Sequence, residues 1–292
     1  MSGVGVKEIK RRKAGIESTR QITNAMNLVS SSKLIRAREA AELSKPYAYF
    51  LYDMVLETAA DVKKACREFV EKREVKRRCF IVVAGDRGLA GGYNMNIFRE
   101  AESLMNKDTD MVIPIGKKSC EFFRKRGYNV VDEINSVETC KYDEIDRITK
   151  LITEKYKNKE VDDVTFIYTK FRSAIIQTVR VKTLFPVALE MMKPYGKEKS
   201  GDEKKVSPRR QYYPSAEEVF RELISEYTAS QIYNGIKESF ASEQASRRNA
   251  MQSATDSADD MLAKLDSEFN RARQASITRE ITEIAGGAEA LK

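Results

Sequence analysis

One short segment has the residue types and spacing from which phosphate chemistry is built. Gly85-Asp86-Arg87-Gly88-Leu89-Ala90-Gly91-Gly92-Tyr93-Asn94 follows an apolar run, Cys79-Phe80-Ile81-Val82-Val83-Ala84, and precedes a stretch of helical pattern. A glycine-rich turn between a strand and a helix is where α/β folds bind phosphate, because backbone N–H groups and the helix N-terminus converge there. The details argue against that use here. The segment is neither the GxGxxG fingerprint nor the GxxxxGK-Ser/Thr cradle, and no lysine followed by Ser or Thr closes it. Its glycines are expected to supply turns at positive φ instead.

The remaining chemistry is bounded by what the chain lacks. It has no His, which excludes imidazole metal sites, His-dependent triads and His-based general acid–base work. The four cysteines, Cys66, Cys79, Cys120 and Cys140, form no CxxC pair and are expected to be reduced thiols rather than a metal cluster or a disulfide framework. No apolar run reaches the roughly 18 residues of a membrane span. The basic N-terminus already carries Glu8 and Glu17 and lacks both a signal core and an acid-poor transit segment. The net charge of +8 calls for an acidic partner, which nucleic acid, anionic lipid or acidic protein loops would each satisfy. No helix-turn-helix, zinc finger or RNP motif is present, and aromatics do not interleave with the basic clusters.

The elements that hold these residues divide the chain into three. Pro46, Pro114, Pro186, Pro194, Pro208 and Pro214 leave residues 1–45 and 215–292 free of proline. Charged residues make up 33% of the chain, above the usual ~25%, which suits extended helical surface. The N-terminal stretch reads as one long helix whose buried stripe runs through Val6, Ile9, Ile16, Ile22, Ala25, Met26, Val29, Leu34 and Ile35, with Lys10, Arg11, Arg12, Lys13 and Arg20 off it. A kink or break is expected at Pro46. At the other end, Ser215 and Glu218 form a capping box that opens a second long helix. Its stripe includes Val219, Leu223, Ile232, Ile236, Phe240, Met251, Met261, Leu265, Phe269, Ile277, Ile281 and Ile284, and Gly286-Gly287 is a plausible stop. About 70 residues at ~1.5 Å each make a rod of roughly 100 Å, which needs a partner along its stripe. The N-terminal helix is that partner in an antiparallel coiled coil. Ala241, Ser242, Ala245, Ser246, Ala250, Ser253, Ala254 and Ala258 keep the seam thin. An ordinary bundle with more helices is the competing arrangement.

Between the helices, strand and helix patterns alternate. Strands are expected at 79–84, 111–115, about 129–131, 164–168 and 176–181, and helices at 95–105, 117–126 and 142–157. This alternation predicts a small α/β domain with a mostly parallel sheet. Residues 193–210 carry almost no apolar content and are expected to be a mobile loop. The division is therefore 1–65 for the first coiled-coil helix, 76–192 for the α/β domain, 193–214 for the linker and 215–292 for the second helix.

At both ends and at the central loop the residues resemble the F-type ATP synthase gamma subunit of bacterial type. Ile277-Thr278-Arg279-Glu280-Ile281-Thr282-Glu283-Ile284-Ala285-Gly286-Gly287-Ala288-Glu289-Ala290 fits that family's C-terminal pattern at every specified position. Ala241-Ser242-Glu243-Gln244-Ala245-Ser246-Arg247 and Asn270-Arg271-Ala272-Arg273-Gln274-Ala275-Ser276 are similar to its upstream blocks. Ile9-Lys10-Arg11-Arg12 and Gln21-Ile22-Thr23-Asn24-Ala25-Met26 resemble its first helix, and the loop from Gly85 to Asn94 its central motif.

The resemblance implies an α/β fold class: a long antiparallel coiled coil plus a small central Rossmann-like domain. It implies a rotor shaft that couples ion flow to ATP synthesis and hydrolysis at alpha–beta interfaces. Such a shaft has no catalysis, cofactor or metal of its own. The implied partners are the alpha and beta subunits of the catalytic ring, the epsilon subunit and the membrane rotor ring of c subunits. Carried over by motif, Met26, Arg247, Arg273, Gln274 and Thr278 would touch the catalytic ring, and Tyr212 and Tyr213 would contact the rotor ring. For Met26, plain coiled-coil packing is an equal reading. The redox-active cysteine segment of the chloroplast branch has no counterpart, and a peripheral place on the cytoplasmic side of a bacterial plasma membrane is expected. Two other classes remain in view: a coiled-coil nucleic-acid or ribosome-associated factor, and a small α/β nucleotide-binding enzyme with helical arms.

Overall fold

The computed structural model describes residues 5–62, 67–70, 73–187 and 211–290. The segment 193–210 and Cys66 lie outside the described residues. In order the elements are α1 (Val6–Asp61), α2 (Arg67–Val70), β1 (Arg78–Val83), α3 (Tyr93–Leu104), β2 (Met111–Ile115), α4 (Lys117–Lys125), β3 (Asn129–Val130), α5 (Tyr142–Lys157), β4 (Asp163–Phe171), β5 (Gln177–Phe185) and α6 (Ala216–Ala290). Short α2 has no counterpart in the sequence reading. Two compact units result, residues 1–31 with 247–292 and residues 32–246.

The larger unit is built on a five-stranded sheet of order β3-β2-β1-β4-β5. Its first four strands are parallel, and β5 returns antiparallel against β4. Strand periodicity divides β1 between two cores. Cys79, Ile81 and Val83 enter one cluster with Val55 of α1, Ile148 of α5, and Ile224 and Ile232 of α6. Phe80, Val82 and Ala84 enter another with Ile97 of α3 and Phe123 of α4. Both faces are thus covered, which is why β1 reads as a continuous apolar run. On the first face α6 passes very close to β4. A Cβ at Gly235 would stand 2.2 Å from the Phe166 ring, so glycine sets the approach.

α1 is unbroken at Pro46. Pro46 has no N–H to donate to Glu42 O, yet Ala41, Ala48 and Leu51 bury the same face on both sides of it. The buried stripe differs from the expected one. Ile22, Val29 and Ile35 are exposed, while Ile9, Thr23, Ser30, Leu34, Ala37 and Ala41 are buried. Those positions step by sevens, threes and fours, so a polar Thr and Ser occupy seam positions of a heptad.

α6 begins where expected, with the Glu218 amide donating to Ser215 Oγ at 3.2 Å. It does not stop at Gly286-Gly287 but runs to Ala290. Two exposed glycines cost only ~1 kcal/mol each in a helix, and no proline follows to enforce an end. Along α6 the burial pattern changes. Residues 227–230 and 241–245 are buried on every side, whereas beyond Met251 burial recurs only at Thr255, Ala258 and Leu262. Met261, expected in the stripe, is exposed beside Leu262.

Candidate functional site

At the carboxyl end of the sheet the glycine-rich loop is closed by the chain's own side chains. Asp86 Oδ1 accepts the Lys117 amide at the start of α4 at 3.2 Å and the Val137 amide at 2.9 Å. Its Oδ2 accepts the Ser136 hydroxyl at 2.8 Å and the Glu138 amide at 3.3 Å. A helix N-terminus and two loop amides converge on one anion, the arrangement that binds phosphate elsewhere, and a carboxylate of the chain already fills it. Asn94 closes the other side, its Oδ1 accepting the Gly85 amide at 2.9 Å and its Nδ2 donating to Arg87 O at 3.3 Å.

The glycines of this loop do less than expected with positive φ. Among the loop's glycines only Gly91, at 56°, uses it, while the non-glycine Leu89 adopts 60°. Gly85 lets the loop approach α6: a Cβ there would lie 2.7 Å from the buried Glu243 carboxyl carbon, so that side chain would have to shift.

α6 supplies the other wall through small polar residues. Ser239 O accepts the Tyr93 hydroxyl at 3.0 Å, Ser239 Oγ accepts the Thr169 amide at 2.9 Å, and Ser242 Oγ donates to Thr169 O at 3.2 Å. Ser246 Oγ donates to Ala90 O at 2.7 Å. Ser242 and Ser246, expected from sequence to thin a helix seam, instead join Ser239 in fastening α6 to the loop and to β4. Ala241 and Ala245 do form seam, packing with Leu34 and Ala37 of α1.

The smaller unit is an antiparallel pair made from the first part of α1 and the last part of α6. Lys13 pairs with Asp266 at 2.5 Å, Arg20 with Asp259, and Asn27 Nδ2 donates to Gln252 Oε1 at 2.7 Å. Each step forward on one helix is matched by a step back on the other. Thr23 Oγ1 and Thr255 Oγ1 meet at 2.8 Å in the buried seam. Thr255 also lies 2.8 Å from Met251 O, and Thr23 3.0 Å from Arg20 O. Each hydroxyl has one proton, so one threonine donates across the seam and the other to its own helix. The basic residues off the stripe are in part matched internally, Arg12 by Glu8 at 2.9 Å as well as Lys13 and Arg20.

A family profile described as ATP synthase matches residues 5–291. The ATP synthase gamma chain of Alkaliphilus metalliredigens is 42% identical over 99% of this chain and 100% of its own length. The chain belongs to the ATP synthase gamma chain family. The sodium ion specific gamma chain of Acetobacterium woodii is 38% identical over 98% of both chains. Among solved structures, the central stalk/c-ring structure of the Tetrahymena thermophila mitochondrial ATP synthase contains a chain with a TM-score of 0.62 at 26% identity, covering 80% of this chain and 99% of that one. A rotor chain of the Euglena gracilis mitochondrial ATP synthase shares the fold, with a TM-score of 0.61 at 15% identity and coverage of 93% and 98%. As a gamma chain the protein is a subunit of the synthase complex, and its fold is that of the central stalk.

The residues assigned to gamma-chain contacts fall in both units. Met26 is half-buried on α1, and Arg273, Gln274 and Thr278 are exposed on α6. The Thr278 hydroxyl donates back to Gln274 O at 3.0 Å. Arg247 differs from these, being only 6% exposed. In the larger unit Tyr213 is 93% exposed, while the Tyr212 hydroxyl donates to Asp61 Oδ2 at 2.6 Å. Burial pushes the Cys79 and Cys120 thiols up to about 12 and Cys140 to about 11, which removes them as nucleophiles at neutral pH. No cluster of three metal-binding side chains occurs among the described residues. Sequence reading missed Asp86, Glu243 and the Thr23–Thr255 pair. A Thr at heptad spacing from Ile9 and Ile16 was the one available signal.

Proposed function

We propose that this gamma chain is the non-catalytic shaft of the complex, coupling rotation of the membrane ring to ATP synthesis and hydrolysis at the alpha–beta sites. The observation that carries the reading is α6. It is one uninterrupted helix from Ala216 to Ala290 that is fastened by serines to the α/β scaffold and by ion pairs and a buried threonine pair to α1. A helix without a break resists twisting because every turn is held by its own hydrogen bonds. The filled anion position at Asp86 supports a role without nucleotide chemistry. Alpha, beta, epsilon and the c ring are the partners on this reading. The place is peripheral, on the cytoplasmic side of a bacterial plasma membrane. Among the described residues no helix is long and apolar enough to cross one.

Exposed Arg273, Gln274 and Thr278, with half-buried Met26, form the ring-facing set on this reading. Arg247, though buried, belongs to this set by motif. The test is reconstitution with alpha, beta and epsilon. The chain alone should show no ATP turnover. Arg273→Ala with Gln274→Ala should assemble normally, since exposed charges contribute only about 0–1 kcal/mol to stability, yet lower ATP synthesis. Turnover by the chain alone would reject the shaft reading. Unchanged synthesis in the double variant would reject the contact assignment.

A further inference from the structure

A cavity of about 340 Å³ in the larger unit lies between α1, α6 and the β4–β5 hairpin. Antiparallel register sets Phe166 opposite Lys182, Tyr168 opposite Arg180 and Lys170 opposite Thr178, so these side chains share one face of the sheet. Lys170 and Lys182 line the cavity from the strands, Lys45 from α1, and Gln231, Asn234 and Glu238 from α6. Tyr49 and Tyr52 add aromatic wall.

The charges in this cavity do not balance. Lys45 is matched by Glu42 at 2.6 Å, and Lys182 Nζ donates to the neutral Gln231 Oε1 at 2.5 Å. Among the described residues, neither Lys170 nor Lys182 forms an ion pair with a carboxylate. Glu238 alone faces them, leaving two amines against one acid. Burial, and next the Lys170 charge, push the Lys182 amine down to about 8. Burial also pushes Glu238 above the usual carboxylate range, even with Lys170 and Lys45 acting to lower it. Asn234 lines the cavity from α6, its Nδ2 donating to Ser230 Oγ at 3.5 Å. Lys182 is half-buried and Lys170 stands exposed at the cavity mouth, so a partly desolvated amine and a second positive charge face the cavity with one opposing carboxylate, a setting that favours an acceptor-rich anion.

We propose that this cavity binds a small phosphate-bearing molecule, its phosphate seated between Lys170 and Lys182. The volume lies in the usual range of small-molecule sites, about 300–1,000 Å³, and exceeds what a single orthophosphate needs. The tyrosine wall adjoins the space left over.

The test uses the full chain with pyrophosphate and with ATP as probes, at fixed ionic strength, read by calorimetric titration and by the rise in melting temperature. Saturable binding of either probe is expected at millimolar concentration or below. Lys182→Gln and Lys170→Gln should each weaken it about tenfold or more, the weight of one charge-assisted hydrogen bond. Glu238→Gln should tighten it by removing the opposing carboxylate. Lys125→Gln, on exposed α4 surface, should leave it unchanged. Lys170 is itself exposed, so loss of binding in that variant does not stem from misfolding. The proposal is overturned if neither probe binds saturably, if Lys170→Gln and Lys182→Gln bind like the parent, or if Lys125→Gln weakens binding equally.

Discussion

Replacing Asp86 by Ala removes the acceptor of three backbone N–H groups and one hydroxyl, those of Lys117, Val137, Glu138 and Ser136. A hydrogen bond to a charged group contributes about 1.5–3 kcal/mol, and a stranded donor costs about 1–3 kcal/mol. Asp86 is half-buried, so water takes over some of these donors and the sum stays well below the additive figure. A loss of roughly 3–5 kcal/mol is expected, a large share of the ~5–15 kcal/mol that stabilises a domain. Asp86→Asn keeps one oxygen but turns an NH2 toward donors, and should cost roughly half as much.

The assay is denaturant unfolding of the isolated chain, followed in parent and variants, with the midpoint shift read at constant slope. Because the lost group is a carboxylate in a cradle of amides, formate should restore part of the stability of Asp86→Ala and none to the parent. Unfolding of Asp86→Ala within about 0.5 kcal/mol of the parent would refute the reasoning. It would mean that the loop, α4 and the segment after β3 are held by packing alone.

Other consequences follow from the helix seams and the cavity. Thr23→Val or Thr255→Val should each cost about 0.5–1.5 kcal/mol, because the surviving hydroxyl can still donate to its own helix, and a double-mutant cycle should show coupling near 1 kcal/mol. Additive losses would remove the cross-seam bond. Lys182 is charged in both folded and unfolded chains below pH 8, so its burial cost is fully present there. Between pH 8 and its ordinary value of 10.5 only the unfolded chain keeps the proton, and stability rises with pH. Lys182→Met should therefore stabilise the ligand-free chain at pH 7, by on the order of 1–3 kcal/mol, and the gain should shrink towards pH 9.5; urea melts at several pH values check this, and a gain that grows with pH would contradict it. Gly235→Ala should cost at least about 1–3 kcal/mol in a thermal melt, since its Cβ would overlap the Phe166 ring, and a neutral result would show that α6 can move off the sheet.

Strand and helix alternation in the central region was legible because β1 is apolar on both faces while α3, α4 and α5 carry helical period. The seam was legible as a seam but not in its detail. Ile22, Val29 and Ile35 are more hydrophobic than Thr23 and Ser30, yet the latter are buried. Hydrophobicity ranks residues one at a time, whereas a heptad fixes position, and a Thr that finds a partner across the helix pair satisfies its hydroxyl there. Met261 and Leu262 repeat the lesson one residue apart. Pro46 shows the opposite limit: a local helix breaker costs about 3 kcal/mol, and burial of Ala41, Ala48 and Leu51 along one face outweighs it. Asp86 was beyond reach because its partners at 117 and 136–138 are brought to it only by the parallel order β3-β2-β1. Arg247 was carried over by motif as a ring contact, and its burial depends on tertiary packing that no local pattern encodes.

The α/β scaffold keeps the form of a ligand-binding fold while its usual site is closed. At the carboxyl end of the sheet the amide donors of α4 and the following loop point at Asp86, the loop itself is tied by Asn94, and Glu243 with Ser239, Ser242 and Ser246 seals the side facing α6. A site in this state cannot take a phosphate without expelling a carboxylate. The same contacts give α6 a rigid seat, and beyond Met251 that helix changes from all-round burial to a single stripe. The glycine-rich loop thus holds the place of a phosphate site in the fold, while Ala90 and Tyr93 bond to Ser246 and Ser239 of α6.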